Sequence, residues 1–159
     1  TAFTYLPARD GDSSGAIQRS NRAPNSSYFT HWTSTGDRIA WDIDVLHAGE
    51  YEATIHYTAP DAGSVIELSF GGARLEARIA EAHNPPLYGM NEDRHPRGTE
   101  SYAKNFRPLS LGTITLKAGR DKLTLRAMKV AGAEVADVRY VTLTRREQTA
   151  SPRRPGRRI

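Results

Sequence analysis

The chain has 159 residues, 38% of them hydrophobic, which suits one globular domain and excludes a largely disordered or membrane-embedded protein. It contains no cysteine, so disulfides, zinc–thiolate centres, iron–sulfur clusters and thiol nucleophiles are excluded. The net charge of +4 is unevenly spread: the last fifteen residues hold six arginines against Glu147, a net of +5, while residues 1–144 hold 16 bases and 17 acids, a net of −1.

That distribution argues against nucleic acid as a partner, because the body carries no basic stripe. No apolar run approaches the roughly 18 residues of a spanning helix, so no membrane partner is expected either. The chain opens at Thr1 without a charged n-region and apolar h-region. Any export signal is therefore expected to have been removed, or trimmed with an upstream part of the protein.

Along the chain, residues 7–31 are polar and rich in Ser, Asn and Gly, and the stretch closes on Tyr28, Phe29 and Trp32. From Asp37 to Val45 the pattern turns to period 2, with Ile39, Trp41, Ile43 and Val45 on one face, so Trp41 is expected in the core. His47-Ala48-Gly49-Glu50 reads as a tight turn, and Tyr51, Ala53, Ile55 and Tyr57 continue the apolar set. The two runs predict a β-hairpin.

Val65–Phe70 and a return strand carrying Leu75, Ala77 and Ile79 flank Gly71-Gly72, a second hairpin signal. Residues 80–108 form a long polar segment with four prolines. Leu111–Leu116 and Lys122–Met128 follow, joined by a turn at Ala118–Asp121. In the last strand, Val135–Thr144, Val138 and Tyr140 fall out of phase with Val141 and Leu143, which predicts a bulge or burial on both faces. Seven or eight short strands without a helical period imply an all-β protein, an antiparallel β-sandwich over residues 1–146, with a barrel as the lesser option. Residues 147–159 read as an Arg/Pro-rich tail expected to be disordered.

Nucleophile and phosphate-binding motifs are absent: there is no Gly-x-Ser-x-Gly, Walker loop, Gly-x-Gly-x-x-Gly or His-Glu-x-x-His. No catalytic residue is assigned. The long segment 80–108 is where binding is expected, with His83, Tyr88, Arg94, Glu100 and Tyr102 as candidate ligand contacts, and Trp32 as a further aromatic outside it. Stacking on a sugar ring needs such an aromatic exposed beside polar groups, whereas burial is the routine fate of large rings.

Glu81 with His83, and Asp93 with His95, share a two-residue spacing that puts both side chains of each pair on one side of an extended chain, as a zinc or other divalent site needs. Hydrogen bonds that tie down the loop explain the same residues without a metal. Calcium is the cofactor the carboxylates leave open. Asp137, within the last strand, and Glu50, at a turn, are the named candidates, with Asp10 and Asp12 beside them.

The runs Leu6–Gly11, Pro24–Thr30, Trp41–Val45, Ala48–Tyr51 and Tyr57–Pro60, with Glu81–Pro86, Pro108–Gly112 and Asp137–Arg139, resemble the C-terminal accessory domain of planctomycete-type bacterial sulfatases. The resemblance spans about residues 5–145. More loosely, the Ile39–Tyr57 stretch and the closing Asp137 strand are similar to galactose-binding-like carbohydrate-binding modules of jelly-roll type. The first resemblance implies a parent that hydrolyses sulfate esters with a formylglycine and a calcium ion, in the periplasm or outside the cell. This chain lacks cysteine, and no serine in it begins Ser-x-Pro-x-Arg. The implied role is therefore non-catalytic. It would support a sulfatase catalytic domain in cis or extend its polysaccharide groove, with an independent module for a glycan, sulfated or not, as the alternative.

Overall fold

The computed structural model describes residues 3–20, 27–83 and 106–146. These form eleven strands in two antiparallel sheets and one 3-10 turn, Ala8–Asp10. The strands are β1 (Phe3–Pro7), β2 (Asp12–Ser14), β3 (Gln18–Arg19), β4 (Phe29–Thr30), β5 (Arg38–Val45) and β6 (Gly49–Thr58). β7 (Val65–Phe70), β8 (Ala73–Arg78), β9 (Arg107–Leu116), β10 (Gly119–Lys129) and β11 (Asp137–Arg145) complete them. One sheet runs β3-β4-β11-β6-β9, with β1 also paired to β11; the other runs β2-β5-β10-β7-β8. The expected antiparallel β-sandwich of jelly-roll, galactose-binding-like type is the fold found. Among the described residues no helix is long and apolar enough to cross a membrane.

The alternation read from sequence places the core correctly. Ile39, Trp41 and Val45 of β5 and Tyr51, Ala53, Ile55 and Tyr57 of β6 are all buried between the sheets. Trp41 is held from both sides: its Nε1 donates to the carbonyl of Pro7 at 2.9 Å, and its ring meets Phe29 edge-on. Gly71-Gly72 does turn β7 into β8, Gly71 taking a φ of 58° that glycine alone adopts freely. The predicted irregularity of the last strand is a bulge at Arg139, where Val138 faces Tyr57 and Tyr140 faces His56.

Two pairings differ from expectation. β5 and β6 are not a hairpin: β5 pairs with β2 and β10, while β6 pairs with β9 and β11 in the other sheet. β9 and β10 likewise belong to opposite sheets. Both short connections arch over the core. An arch and a hairpin need the same polar, glycine-containing linker, so the turn residues do not distinguish them. The polar stretch before Trp32 also contributes β2 to β4, with β1 just ahead of it, most of them too short to show a period.

Candidate platform on the outer face of one sheet

The two outward faces of the sandwich differ in chemistry. On the sheet built around β10, outward side chains form a ladder of opposed charges. Lys122 Nζ lies 2.9 Å from Asp42, Arg120 lies 3.5 Å from Asp44, and Glu67 accepts from both Arg126 and Arg74. Glu67 is already buried beneath its two arginines, but covering the face would strip water from the exposed Asp42, Asp44, Arg120 and Lys122, so it is built to stay wet.

The sheet built around β11 turns out an aromatic and hydroxylic surface instead. Its register gives three cross-strand rows from β1 through β11 and β6 to β9. They are Pro7–Tyr140–His56–Pro108, Tyr5–Thr142–Thr54–Ser110 and Phe3–Thr144–Glu52–Thr113. The His56 and Tyr140 rings stack at 4.0 Å with an interplanar angle of 23°, and Tyr5 tilts against Tyr140 at 4.9 Å. Tyr5 keeps 47% of its surface exposed and Phe3 62%, which is unusual for large rings on a strand.

Beside the rings lies a polar pocket of about 330 Å3 lined by Glu52, Ser110, Gly112, Thr113 and Arg146. Within it the Ser110 hydroxyl donates to Glu52 Oε2 at 2.9 Å, and Arg146 Nη1 donates to Thr113 Oγ1 at 3.3 Å. Four strands at a spacing of about 4.8 Å make the surface about 14 Å wide. An aromatic floor with hydroxyl, carboxylate and guanidinium groups at its margin can stack on an apolar ring face and bond the hydroxyls at its rim.

Burial also favours the neutral form of His56. Burial, and secondarily the nearby Arg139 cation, lower its pKa below the usual imidazole value, and no acceptor among the described residues meets its Nδ1. Burial also raises the Tyr140 phenol, with Tyr5 adding to the shift. At neutral pH the platform is therefore uncharged along its aromatic row. Because the folded-state pKa of His56 is depressed, the unfolded chain binds the proton first as pH falls through about 6.5. Stability is expected to be complete above that value, to fall below it, and to level off beneath the folded pKa. Thermal melts at pH 7.5 and 5.5 should show a larger drop for wild type than for His56→Gln; equal drops would mean that His56 does not set the dependence.

Of the residues singled out from sequence, two ligand candidates lie within the described residues, Trp32 and His83, and both are away from the platform. Trp32 is wholly buried, so it offers no ring face to a ligand and belongs to the core; its side chain packs inward while its carbonyl accepts from Val135 N–H. His83 forms a bridge with Ala59, and its ring meets Tyr57 edge-on at 6.2 Å. Glu81 accepts from the Arg107 side chain at 2.9 Å, a contact that ties the start of the loop to β9. Tyr88, Arg94, Glu100 and Tyr102, with Asp93 and His95, fall outside the described residues.

The two calcium candidates do not converge. Asp137 is buried opposite Thr58 at one end of β6, and Glu50 is exposed near the other end, eight residues from Thr58, or about 26 Å along a strand. Among the described residues no three His, Asp or Glu side chains group as metal ligands do. Sequence reading missed the platform because Phe3 and Tyr5 lie in a strand of only five residues. The available signal was the alternation Phe3-x-Tyr5 at the start of the chain.

No family model and no curated protein matches the sequence. Solved structures do match in fold. The GH26-CBM35 β-(1,4)-mannanase of Podospora anserina superposes with a TM-score of 0.62 at 16% identity, over 96% of this chain and 29% of that one. The C-terminal CBM6 of LamC, a marine laminarinase from Zobellia galactanivorans, gives 0.63 at 12% identity, over 91% of this chain and 100% of that one. CBM6cm-2 of the Cellvibrio mixtus lichenase 5A, solved with cellotriose, gives 0.61 at 11%, over 91% and 98%. This chain thus spans the whole of a single module but under a third of the mannanase. At these identities the likeness is one of fold, and none of the three is a sulfatase.

Proposed function

We propose that this chain is a non-catalytic carbohydrate-binding module whose glycan lies across the outer face of the β11 sheet. The observation that carries the reading is the stack of half-buried Tyr140 and His56 with the exposed Tyr5, beside the polar pocket of Glu52 and Arg146. Carbohydrate-binding modules of the same fold support it. Tyr5 and Phe3, rings that a monomer would bury, are left open here, and a neutral His56 lowers the desolvation cost of covering the stack.

Titration calorimetry with laminarin, lichenan and glucomannan tests the proposal. Weak but saturable binding to at least one is expected; no binding to any of them would end it. Parallel Tyr88→Ala and Arg94→Ala variants should bind as wild type does if the platform is the site. A loss in either would move the site to the 80–108 segment that sequence reading favoured.

A sulfatase catalytic domain in cis, in a periplasmic or secreted parent, is the partner proposed by the sequence runs quoted above. The exposed Phe3 at the platform margin would suit packing against such a domain.

A further inference from the structure

Round the free edge of β9 from the platform lies a groove of about 640 Å3, between the β7–β8 turn and the β9–β10 turn. Thr113 lines both this groove and the polar pocket of Glu52 and Arg146, so the two surfaces are continuous. The charged lining of the groove is Arg74, Lys117 and Arg120 against Asp121.

These cations are not fully spent within the fold. Arg74 gives Nη1 to Glu67 at 3.1 Å, and that buried carboxylate is also held by Arg126 at 3.0 Å. The pairing orients the Arg74 fork and leaves further N–H donors on an exposed side chain. Arg120 reaches Asp44 only at 3.5 Å and keeps 87% of its side chain exposed. Lys117 is exposed and makes no ion pair among the described residues. A side chain added at Gly72 or Gly119, both on the lining, would meet nothing within 4 Å, so the space between the cations is open.

We infer that the glycan bound on the platform is an acidic one, whose carboxylate or sulfate groups seat in this groove beyond β9. The inference rests on reading the platform as a glycan site. An anion there would face three cations, each worth little alone at an exposed site, and together expected to tighten binding about tenfold at low salt.

The test titrates laminarin, lichenan and glucomannan, each in neutral, carboxymethylated and sulfated form. An anionic form should bind about tenfold tighter than its neutral parent, and the arm that does so identifies the group recognised. The double variant Lys117→Glu/Arg120→Glu should erase that gain and leave neutral binding unchanged. A control with the same change in net charge, Arg38→Glu/Lys129→Glu near the far end of β10, should keep the gain. If neither anionic form binds more tightly, or the control pair erases the gain equally, the groove is not a site, and the platform stands. If wild type binds none of the nine glycans, both readings fall.

Discussion

Truncating Tyr140 to alanine is expected to weaken glycan binding about thirtyfold, which corresponds to about 2 kcal/mol. Tyr140 is the middle ring of the platform, stacked on His56 on one side and tilted against Tyr5 on the other. Its loss removes a stacking surface and the neighbour that fixes both flanking rings. The bulge at Arg139 is what resets the phase of β11 so that Tyr140 points outward between them. Tyr140→Phe should keep most of the affinity, because the ring and not the phenol supplies the contact. Thermal melts of both variants separate binding from folding. A Tyr140→Ala protein that melts normally and binds like wild type would remove the platform from the mechanism.

Trp41→Ala is expected to cost about 3–5 kcal/mol, a large share of the roughly 5–15 kcal/mol that holds a domain of this size. The indole is 2% exposed, packs edge-on to Phe29, and ties β5 to β1 through its bond to Pro7. Gly11 lies so close to the ring that even a Cβ there would come within 2.8 Å of Nε1, so the indole fills its site without spare room. Urea unfolding followed by circular dichroism, with an unchanged slope, measures the loss; a cost below about 1 kcal/mol would mean the site collapses around the deletion. Glycan affinity, extrapolated to the folded fraction, should fall as well, since β1 carries Tyr5 and its anchor to the other sheet is gone.

Much of the fold is legible in the residues themselves. Period-2 alternation in Ile39–Val45 and Tyr51–Tyr57 assigns the buried faces, because a strand with one face in the core must repeat every second residue. The Gly71-Gly72 hairpin is equally local, and so is the phase break of β11. Absent nucleophile and phosphate motifs directed the reading toward binding rather than catalysis. The arches after Val45 and Leu116 are not legible, since the same turn chemistry serves a hairpin and a crossing between sheets.

The candidate site was the least legible part. Loop length and composition drew attention to His83 and the segment after it, whereas His83 is engaged with Ala59 and Tyr57. Trp32 was a sugar candidate whose alternative was burial, the routine fate of a large ring, and it is wholly buried. The platform draws Tyr5, His56 and Tyr140 from three strands that are far apart in sequence, and no local pattern joins them. Period-2 alternation determined an all-β chain and the charge count a near-neutral body, because composition and periodicity are properties of the chain alone. Which outward face carries ion pairs and which carries open rings was decided by strand order and register. Those are set by long-range pairing, and pairing exists only once the two sheets have closed over their core.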